Sequence, residues 1–589
     1  MLRGTFTVTN GNELPAVQTL ISRQAPGSAE GYCLKITSKG IEILCREPGG
    51  FRMARATLRQ LRAQYGSKLP CLIIRDWPDF PRRGVMLDIS RGRVPKLQTL
   101  LDLAEKLAAF KINELQLYTE HTFAYRRYKS VWQSWGALTA QEIRTLDRHC
   151  RRLGIDLVPN QNSFGHLRYF LTDRRLKKLA EISRPYEADT RDFLRRPTTL
   201  APNHPGALPF LRGLYDELLP NFSSRFFNVG CDETWDLGKG RSQKLCAQKG
   251  QGRVYADFLT KIQREVSTRG KTMMFWGDII LKYPGLIREL PKGIIALNWG
   301  YEADHPFAKE TAQFANAKIP FYVCPGTATW QTLIGKHDNA IANLKSAAQA
   351  GKKSGAIGYL ITDWGDGGHP QPLAVSWPMF AAGAALAWNA KTFSANNLAQ
   401  VISREVFKDG TGKMANAALK LGLAHSKLGV KAVNETPLGT VIAAPKPADR
   451  ELFCRNGLKW FAKIPASKIR AAMAEIDKQR AFLRGGASAT SRHRSKSKST
   501  VHDHQTAAAE LELAARMAME SCYFMLWQQS VAGGKKAEAK QLARRGIREL
   551  AKLERDFNRF WPRRNQATPK HCAPFLRWRM EDYRRGFVA

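Results

Sequence analysis

The run Arg225-Phe226-Phe227-Asn228-Val229-Gly230-Cys231-Asp232-Glu233-Thr234-Trp235 decides how the chain is read. It opens as a short apolar segment with aromatic and β-branched residues, the pattern of a buried strand. It closes on two adjacent carboxylates. A charge at the rim of a core has to be solvated or paired, so packing alone does not put Asp-Glu there. Neighbouring residues on a strand point to opposite sides. At a strand end, one carboxylate can lie beneath a ligand while the other reaches its flank. An exposed strand-to-loop junction is the plainer reading, and the flanking sequence decides between the two.

Working outward, seven more segments share the apolar pattern. The expected strands are Gly84–Ile89, Glu114–Glu120, Ile155–Asn160, Phe226–Glu233, Thr272–Asp278, Ile294–Tyr301, Phe321–Pro325 and Ile357–Asp363. Most are apolar throughout, as strands covered on both faces are. Helical patterns fall between most of them, among them Lys96–Phe110, Ala140–Leu153, Val254–Thr268 and Asp338–Ala350, and Trp377–Trp388 follows the last. This count and size predict an α/β fold, a (β/α)8 TIM barrel over residues 79–390. A doubly wound open sheet is the alternative, but it usually has fewer strands, and no Gly-x-Gly-x-x-Gly loop follows the first strand.

In such a barrel, functional groups gather where strands end. Those positions hold Tyr118, Glu120 and His121; Asn160, Asn162 and His166; Asp232, Glu233 and Trp235; Trp276 and Asp278; Asn298, Trp299 and Tyr301; Trp330; Asp363, Trp364 and Asp366. Carboxylates, amides and indoles together suit a sugar. Polar groups meet its hydroxyls, and indole faces cover the apolar faces of the ring. Core packing is the competing reading for any one tryptophan.

Before the barrel, residues 1–78 read as a small α+β domain. Tyr32–Thr37 and Ile41–Cys45 alternate around Ser38-Lys39-Gly40 as a hairpin, and a helix runs from Phe51 to Tyr65 with Gly66 placed to end it. After the barrel, residues 391–589 read as a mostly helical region, with Ala466–Leu483, Thr506–Gln528 and Lys535–Phe560 as its helices. The basic, serine-rich stretch near 485–505 reads as a flexible loop.

The 589 residues exceed what one core holds. The 92 Lys+Arg against 51 Asp+Glu give a formal charge of +41, which admits a polyanion-binding protein. The basic residues are spread along the chain, however, and no zinc-finger, RNA-binding or basic heptad pattern accompanies them. The ten cysteines are scattered without a Cys-x-x-Cys pair, so zinc spacing is absent and buried free thiols are expected. The first residues contain no apolar signal-type run, and no stretch is long enough to span a bilayer, so a cytoplasmic location is expected.

With these residues in view, the chain resembles glycoside hydrolase family 20, the β-N-acetylhexosaminidases, over roughly residues 30–390. Arg83-Gly84-Val85-Met86-Leu87-Asp88-Ile89-Ser90-Arg91 is similar to the family's first barrel strand, and Phe164-Gly165-His166 to its Pro-Gly-His segment. Asn228-Val229-Gly230-Cys231-Asp232-Glu233 matches its His-x-Gly-Gly-Asp-Glu motif at the glycine and the acid pair. Trp364-Gly365-Asp366 is similar to the Trp-x-Glu after the last strand. Asn228, Cys231 and Asp366 depart from the family's residues. With Gln116–Phe123 and Thr362–Asp366, they look more like the hexosaminidase D type than the lysosomal type.

The resemblance implies exo-acting hydrolysis of terminal β-linked GlcNAc or GalNAc, with the substrate's own acetamido oxygen as nucleophile. Glu233 would be the general acid, its pKa raised by its surroundings, and Asp232 would orient the acetamido group. Arg83 would bind the O3 and O4 hydroxyls, although its place at the start of strand one equally suits an Arg–Asp pair closing the barrel floor. His166, Trp299, Tyr301 and Asp366 would join the substrate pocket, with Trp276, Trp299 and Trp364 walling the acetamido methyl. Tyr301 and Tyr322 are both candidates for the tyrosine that holds the acetamido group. Glu120 would support His166, and His166 would hydrogen-bond Glu233; otherwise His166 caps its loop and Glu120 pairs with Arg126. No metal or organic cofactor is implied, and neither a nucleic-acid nor a membrane partner is expected. A catalytically silent glycan-binding protein on the same fold is the alternative from another class. An O-GlcNAcase-like enzyme would carry Asp-Asp where this chain has Asp-Glu.

Overall fold

Fourteen strands and the helices around them are defined in the computed structural model, which describes residues 5–7, 17–183, 197–443, 461, 463–489 and 498–586. The first sheet is small. β1 (Thr5–Thr7) pairs with β5 (Lys68–Pro70), and β2 (Val17–Ile21), β3 (Tyr32–Thr37), β4 (Gly40–Cys45) and β6 (Leu72–Asp76) form a four-stranded sheet in the order β2-β4-β3-β6. β3 and β4 are the expected antiparallel hairpin, with Thr37 opposite Gly40. The helix Pro48–Tyr65 covers this sheet. Proline at its first turn costs no hydrogen bond, and Gly66 at φ 67° lets the chain leave it.

The remaining eight strands are all parallel and follow one another in chain order: β7 (Arg82–Asp88), β8 (Glu114–Tyr118), β9 (Asp156–Val158), β10 (Phe226–Asn228), β11 (Thr272–Trp276), β12 (Ile295–Trp299), β13 (Phe321–Cys324) and β14 (Gly358–Asp363). β14 returns to pair with β7 along six residues, and Asn160 bridges to Asn228, which closes the ring between β9 and β10. This is a (β/α)8 barrel. Its strands are shorter than the apolar runs that predict them. β10 stops at Asn228 rather than Glu233, and β11 stops at Trp276 rather than Asp278. Apolar pattern reports burial, and the buried loops that continue these strands carry the same signal.

Inside the barrel, Met86, Tyr118, Met274, Leu297, Tyr322 and Leu360 form an apolar cluster. Below it, near the strand starts, Glu114 is buried against Arg82 at 2.7 Å and accepts from the Tyr322 hydroxyl at 3.0 Å. The small domain is fastened beneath this floor. Arg83, fully buried, pairs with Glu30 and donates to the carbonyls of Lys111 and Phe80. The Lys111 ammonium lies 3.2 Å from Asp76 and 4.0 Å from the Trp388 ring.

Beyond the barrel the described chain is helical, with long helices Ala466–Ala489, Lys498–Ala532 and Lys536–Arg564 and a shorter one, Phe575–Arg585. The first two extend into the stretch expected to be a loop near 485–505, so that expectation is corrected at both ends. Its middle lies outside the described residues. Lys96 N–H donates to Arg564 O at 2.8 Å and Gln566 N–H to Val94 O at 2.7 Å, which joins this region to the chain just after β7. Among the described residues no helix is long and apolar enough to cross a membrane.

Candidate active site

The acid pair Asp232-Glu233 sits on a tight turn and not on a strand. Gly230 (φ 67°), Cys231 (φ 69°) and Glu233 (φ 44°) all occupy the left-handed region, which is strained for a side-chain-bearing residue. Several groups impose that shape. Asn228 Oδ1 accepts from Gly230 N–H at 3.0 Å, while Asn228 Nδ2 is anchored on Gln116 Oε1 at 2.9 Å. Tyr255 hydroxyl donates to Cys231 O at 2.9 Å, and Asp278 Oδ2 accepts from Glu233 N–H at 3.3 Å. Gly165 is obligatory for a second reason: a Cβ there would lie 2.2 Å from Asp232 O. That close approach brings His166, the next residue, over the acid pair.

His166 Nε2 lies 3.3 Å from Asp232 Oδ2 and 3.3 Å from Glu233 Oε2, in ion-pair contact with both and aligned with neither as a full hydrogen bond. Nδ1 stands 3.6 Å from Glu120 Oε1, beyond hydrogen-bond length. Burial by itself favours the neutral ring, but Asp232, Glu233 and Glu120 outweigh it and hold the imidazolium pKa well above its ordinary value. Glu120 does not pair with Arg126, which contacts Glu217 at 3.6 Å. It contacts Arg91 at 2.8 Å and accepts from the Tyr118 hydroxyl at 3.1 Å.

Arg91 is the site's arginine. It bridges Asp88 at 3.0 Å and Glu120 at 2.8 Å and lies 4.9 Å from the Tyr118 ring and 5.9 Å from the Trp364 ring. The expectation that Arg83 binds sugar is corrected: Arg83 is enclosed at the opposite end of the barrel, against Glu30. Strand polarity explains the difference. Arg83 is the second residue of β7 and Arg91 comes three residues after it, so only Arg91 lies at its C-terminal end. Tyr322 likewise belongs to the floor, held by Glu114, which leaves Tyr301 at the site.

The walls are aromatic. Trp299 and Tyr301 stack with centroids 5.1 Å apart, Trp330 meets Tyr301 edge-on at 5.0 Å, and Trp364 meets Tyr118 edge-on at 4.6 Å. Trp364 Nε1 donates to the Tyr301 hydroxyl at 2.7 Å. Trp276 is fully buried at the base, 5.9 Å from Trp364. The buried atoms Asp232 Oδ1, Trp276 Nε1, Trp299 Nε1 and both amide atoms of Asn298 and Asn162 have no protein partner. Buried polar atoms are seldom left so, and a cluster of them around a carboxylate pair fits a hydroxyl- and amide-bearing ligand.

Two more carboxylates complete the charge pattern. Burial pushes Asp278 up to about 8, reinforced by Asp232 and Glu233. Burial pushes Asp366 up to about 6 against the pull of Arg91, and Gln331 Nε2 donates to its Oδ2 at 3.2 Å. Asp278 and Gln331 carry no motif of their own. The only sequence signal for Asp278 is its place just after a strand end, and Gln331 has only its position one residue after Trp330. His166, Asp232 and Glu233 also present ligand atoms all within 4.8 Å of one another, so this is where the described residues could hold a cation.

A barrel with an acid pair, a charged histidine and an indole wall at its C-terminal end defines the carbohydrate-hydrolase class. Residues 80–354 match the glycosyl hydrolase family 20 catalytic domain and residues 3–77 match that family's domain 2, together more than half of the chain. The chain belongs to glycosyl hydrolase family 20. It is 27% identical over 298 residues to a beta-hexosaminidase of Vibrio furnissii, covering 44% of this chain and 48% of that protein. It is 22% identical over 231 residues to hexosaminidase D of Bos taurus, covering 38% and 63%. The chain spans from a quarter to three fifths of the length of the first curated relatives it matches. A crystal structure of a beta-N-acetylhexosaminidase superposes with a TM-score of 0.55 at 20% identity, covering 67% of this chain and 91% of that one, which is a likeness of fold.

Proposed function

We propose that the protein is an exo-acting, retaining β-N-acetylhexosaminidase that uses its substrate's 2-acetamido group as nucleophile. The observation that carries this reading is the placement of the acid pair. Asp232 and Glu233 present oxygens within 4.8 Å of each other beside one histidine. Carboxylates that trap a water on the far side of a sugar stand about 6.5–9.5 Å apart. Two acids side by side suit a division of labour at one flank of the bond.

In this reading Glu233 protonates the leaving oxygen as the acetamido oxygen attacks C1. The C1–O bond breaks and an oxazolinium ion forms. Glu233 then takes a proton from the incoming water, which adds to C1 and reopens the ring to the acetamide. Asp232 accepts the acetamido N–H and stabilises the positive charge on the ring. Tyr301 holds the acetamido oxygen in this reading, with Trp276, Trp299 and Trp364 around the methyl. Arg91 and Asp366 supply a donor and an acceptor for ring hydroxyls. His166, with Glu120 behind it, sets the rotamer of Glu233.

The test is hydrolysis of 4-nitrophenyl N-acetyl-β-glucosaminide and galactosaminide beside the 2-hydroxy glucoside. Turnover of the N-acetyl substrates alone supports the reading, and equal turnover of the glucoside refutes it. Glu233→Gln should lower turnover by orders of magnitude, most for poor leaving groups, which depend most on protonation. A glycan-binding protein without catalysis would bind the sugar and turn over none of the three.

A further inference from the structure

The helix Lys536–Arg564, 29 residues long, carries ten Lys and Arg against four Asp and Glu and lies outside the residues that match the family. Its inner face is apolar. Gly546, Leu550, Leu553, Phe557 and Trp561 are buried there at the spacing of one helical stripe. The helix Phe575–Arg585 packs so closely on it that a Cβ on Gly546 would come 2.3 Å from the Tyr583 ring. The two half-buried arginines are neutralised: Arg545 meets Glu520 at 2.9 Å and Arg564 meets Glu510 at 2.6 Å. The outer face differs. Lys540, Arg544, Arg548, Lys552, Arg555 and Arg559 follow one another three or four residues apart, and all six are exposed. Lys536 and Arg563, also exposed, extend the row at its ends. Most of the helix's carboxylates are drawn off the row, Glu538 to Lys535 at 3.8 Å, Glu554 to Arg577 at 2.5 Å and Asp556 to Arg516 at 2.5 Å. Glu549, 2.8 Å from Lys552, offsets one member of it.

We infer that this basic row is a docking surface for a linear acidic polysaccharide, a chain whose sugars carry carboxylate or sulfate groups. The choice of a glycan rests on the hexosaminidase reading of the barrel. Spacing is the first argument. Four helical residues rise about 6 Å, and the row from Lys536 to Arg563 runs for about 40 Å, so positive charge repeats along a path as long as several sugars. Energy is the second. Like charges three or four residues apart on a helix repel and destabilise it, and a polyanion lying along the row offsets that cost. Shape is the third. A row on a convex helix meets a chain along its whole length and a flat membrane only in part. None of the exposed large apolar side chains among the described residues lies on this helix. The row therefore has neither an apolar face to sink into a bilayer nor a platform for stacked bases. Its C-terminal end is also near the site: Arg564 O accepts from Lys96 N–H at 2.8 Å, in the loop after β7 that carries Arg91.

The experiment measures binding of the full chain to labelled heparin, which carries both carboxylate and sulfate groups, by fluorescence anisotropy over a series of salt concentrations. A combined variant, Lys540→Gln, Arg544→Gln, Arg548→Gln, Arg555→Gln and Arg559→Gln, keeps good helix formers on the outer face. It should raise the Kd at least about tenfold and lower the slope of log Kd against log salt by about 3.5. A control variant, Lys35→Gln, Lys39→Gln, Lys244→Gln, Lys249→Gln and Lys261→Gln, removes the same formal charge from exposed positions elsewhere. It should change the Kd by less than about twofold, since distant exposed charges are screened. Both variants should keep the wild-type turnover of a nitrophenyl N-acetylhexosaminide. An equal loss of heparin binding in the two variants, or none in the first, overturns the row as a site. Tighter binding of duplex DNA or of phosphatidylserine vesicles than of heparin at equal salt overturns the choice of a glycan. A wild type that turns over no nitrophenyl N-acetylhexosaminide refutes the hexosaminidase reading, and the heparin comparison still decides the row.

Discussion

Replacing His166 by alanine removes the cation that, among the described residues, touches both acids. The imidazolium lies 3.3 Å from Asp232 Oδ2 and 3.3 Å from Glu233 Oε2. Asp232, Glu233 and Glu120 hold its pKa well above the ordinary value, so it keeps its charge through the neutral range. A contact to a charged group is worth about 1.5–3 kcal/mol, and the 34% exposure of the Glu233 side chain puts the effect near the lower end. A loss of about 1.4 kcal/mol is a factor of about ten in rate. His166→Ala should therefore lower kcat/KM by about tenfold, because the acid's rotamer is no longer held. His166→Gln, which keeps a donor at similar reach, should lose less. The assay is kcat/KM for a nitrophenyl N-acetylhexosaminide, on variants whose folding is checked by thermal unfolding. A folded His166→Ala enzyme with unchanged kcat/KM refutes the coupling between His166 and the acid.

Arg83, at the start of β7, and Arg91, just after its end, should part company on mutation. Arg83→Met strands Glu30 at a buried junction and should cost about 3–5 kcal/mol of stability, read by denaturant unfolding, while the folded enzyme keeps its KM. Arg91→Met leaves Asp88 and Glu120 without their partner; it should raise KM and lower kcat even where the protein stays folded. Asp278 should make stability depend on pH. Its folded pKa of about 8 is raised above the ordinary carboxyl value, so the native state holds a proton the unfolded chain releases. That contribution is full below about pH 4 and is lost as pH rises toward 8. Asp278→Asn should flatten the fall, which unfolding at pH 4, 6 and 8 would show.

Much of the barrel was legible because both faces of its strands are covered, which leaves apolar runs at regular spacing. The acid pair was legible because Asp-Glu after such a run has no packing reason. The turn beneath it was not. Three left-handed residues among four depend on Asn228, two positions before, and on Tyr255 and Asp278 arriving from elsewhere in the fold. Assigning the sugar hydroxyls to Arg83 shows how motif likeness can override strand direction, since only residues after Asp88 reach the C-terminal end of β7. The contribution of the C-terminal region was hidden by distance. His571 meets Ser134 across 437 positions, and no local pattern signals such a contact.

The proposed reaction uses the acetamido oxygen as nucleophile, and a stable thiazoline analogue of the oxazolinium ion tests that step directly. It should inhibit the wild type at least about a hundredfold more tightly than N-acetylglucosamine binds, and Asp232→Asn should forfeit most of that advantage. Thiazoline binding no tighter than the free sugar, together with a covalent glycosyl-enzyme seen by mass spectrometry, would contradict it.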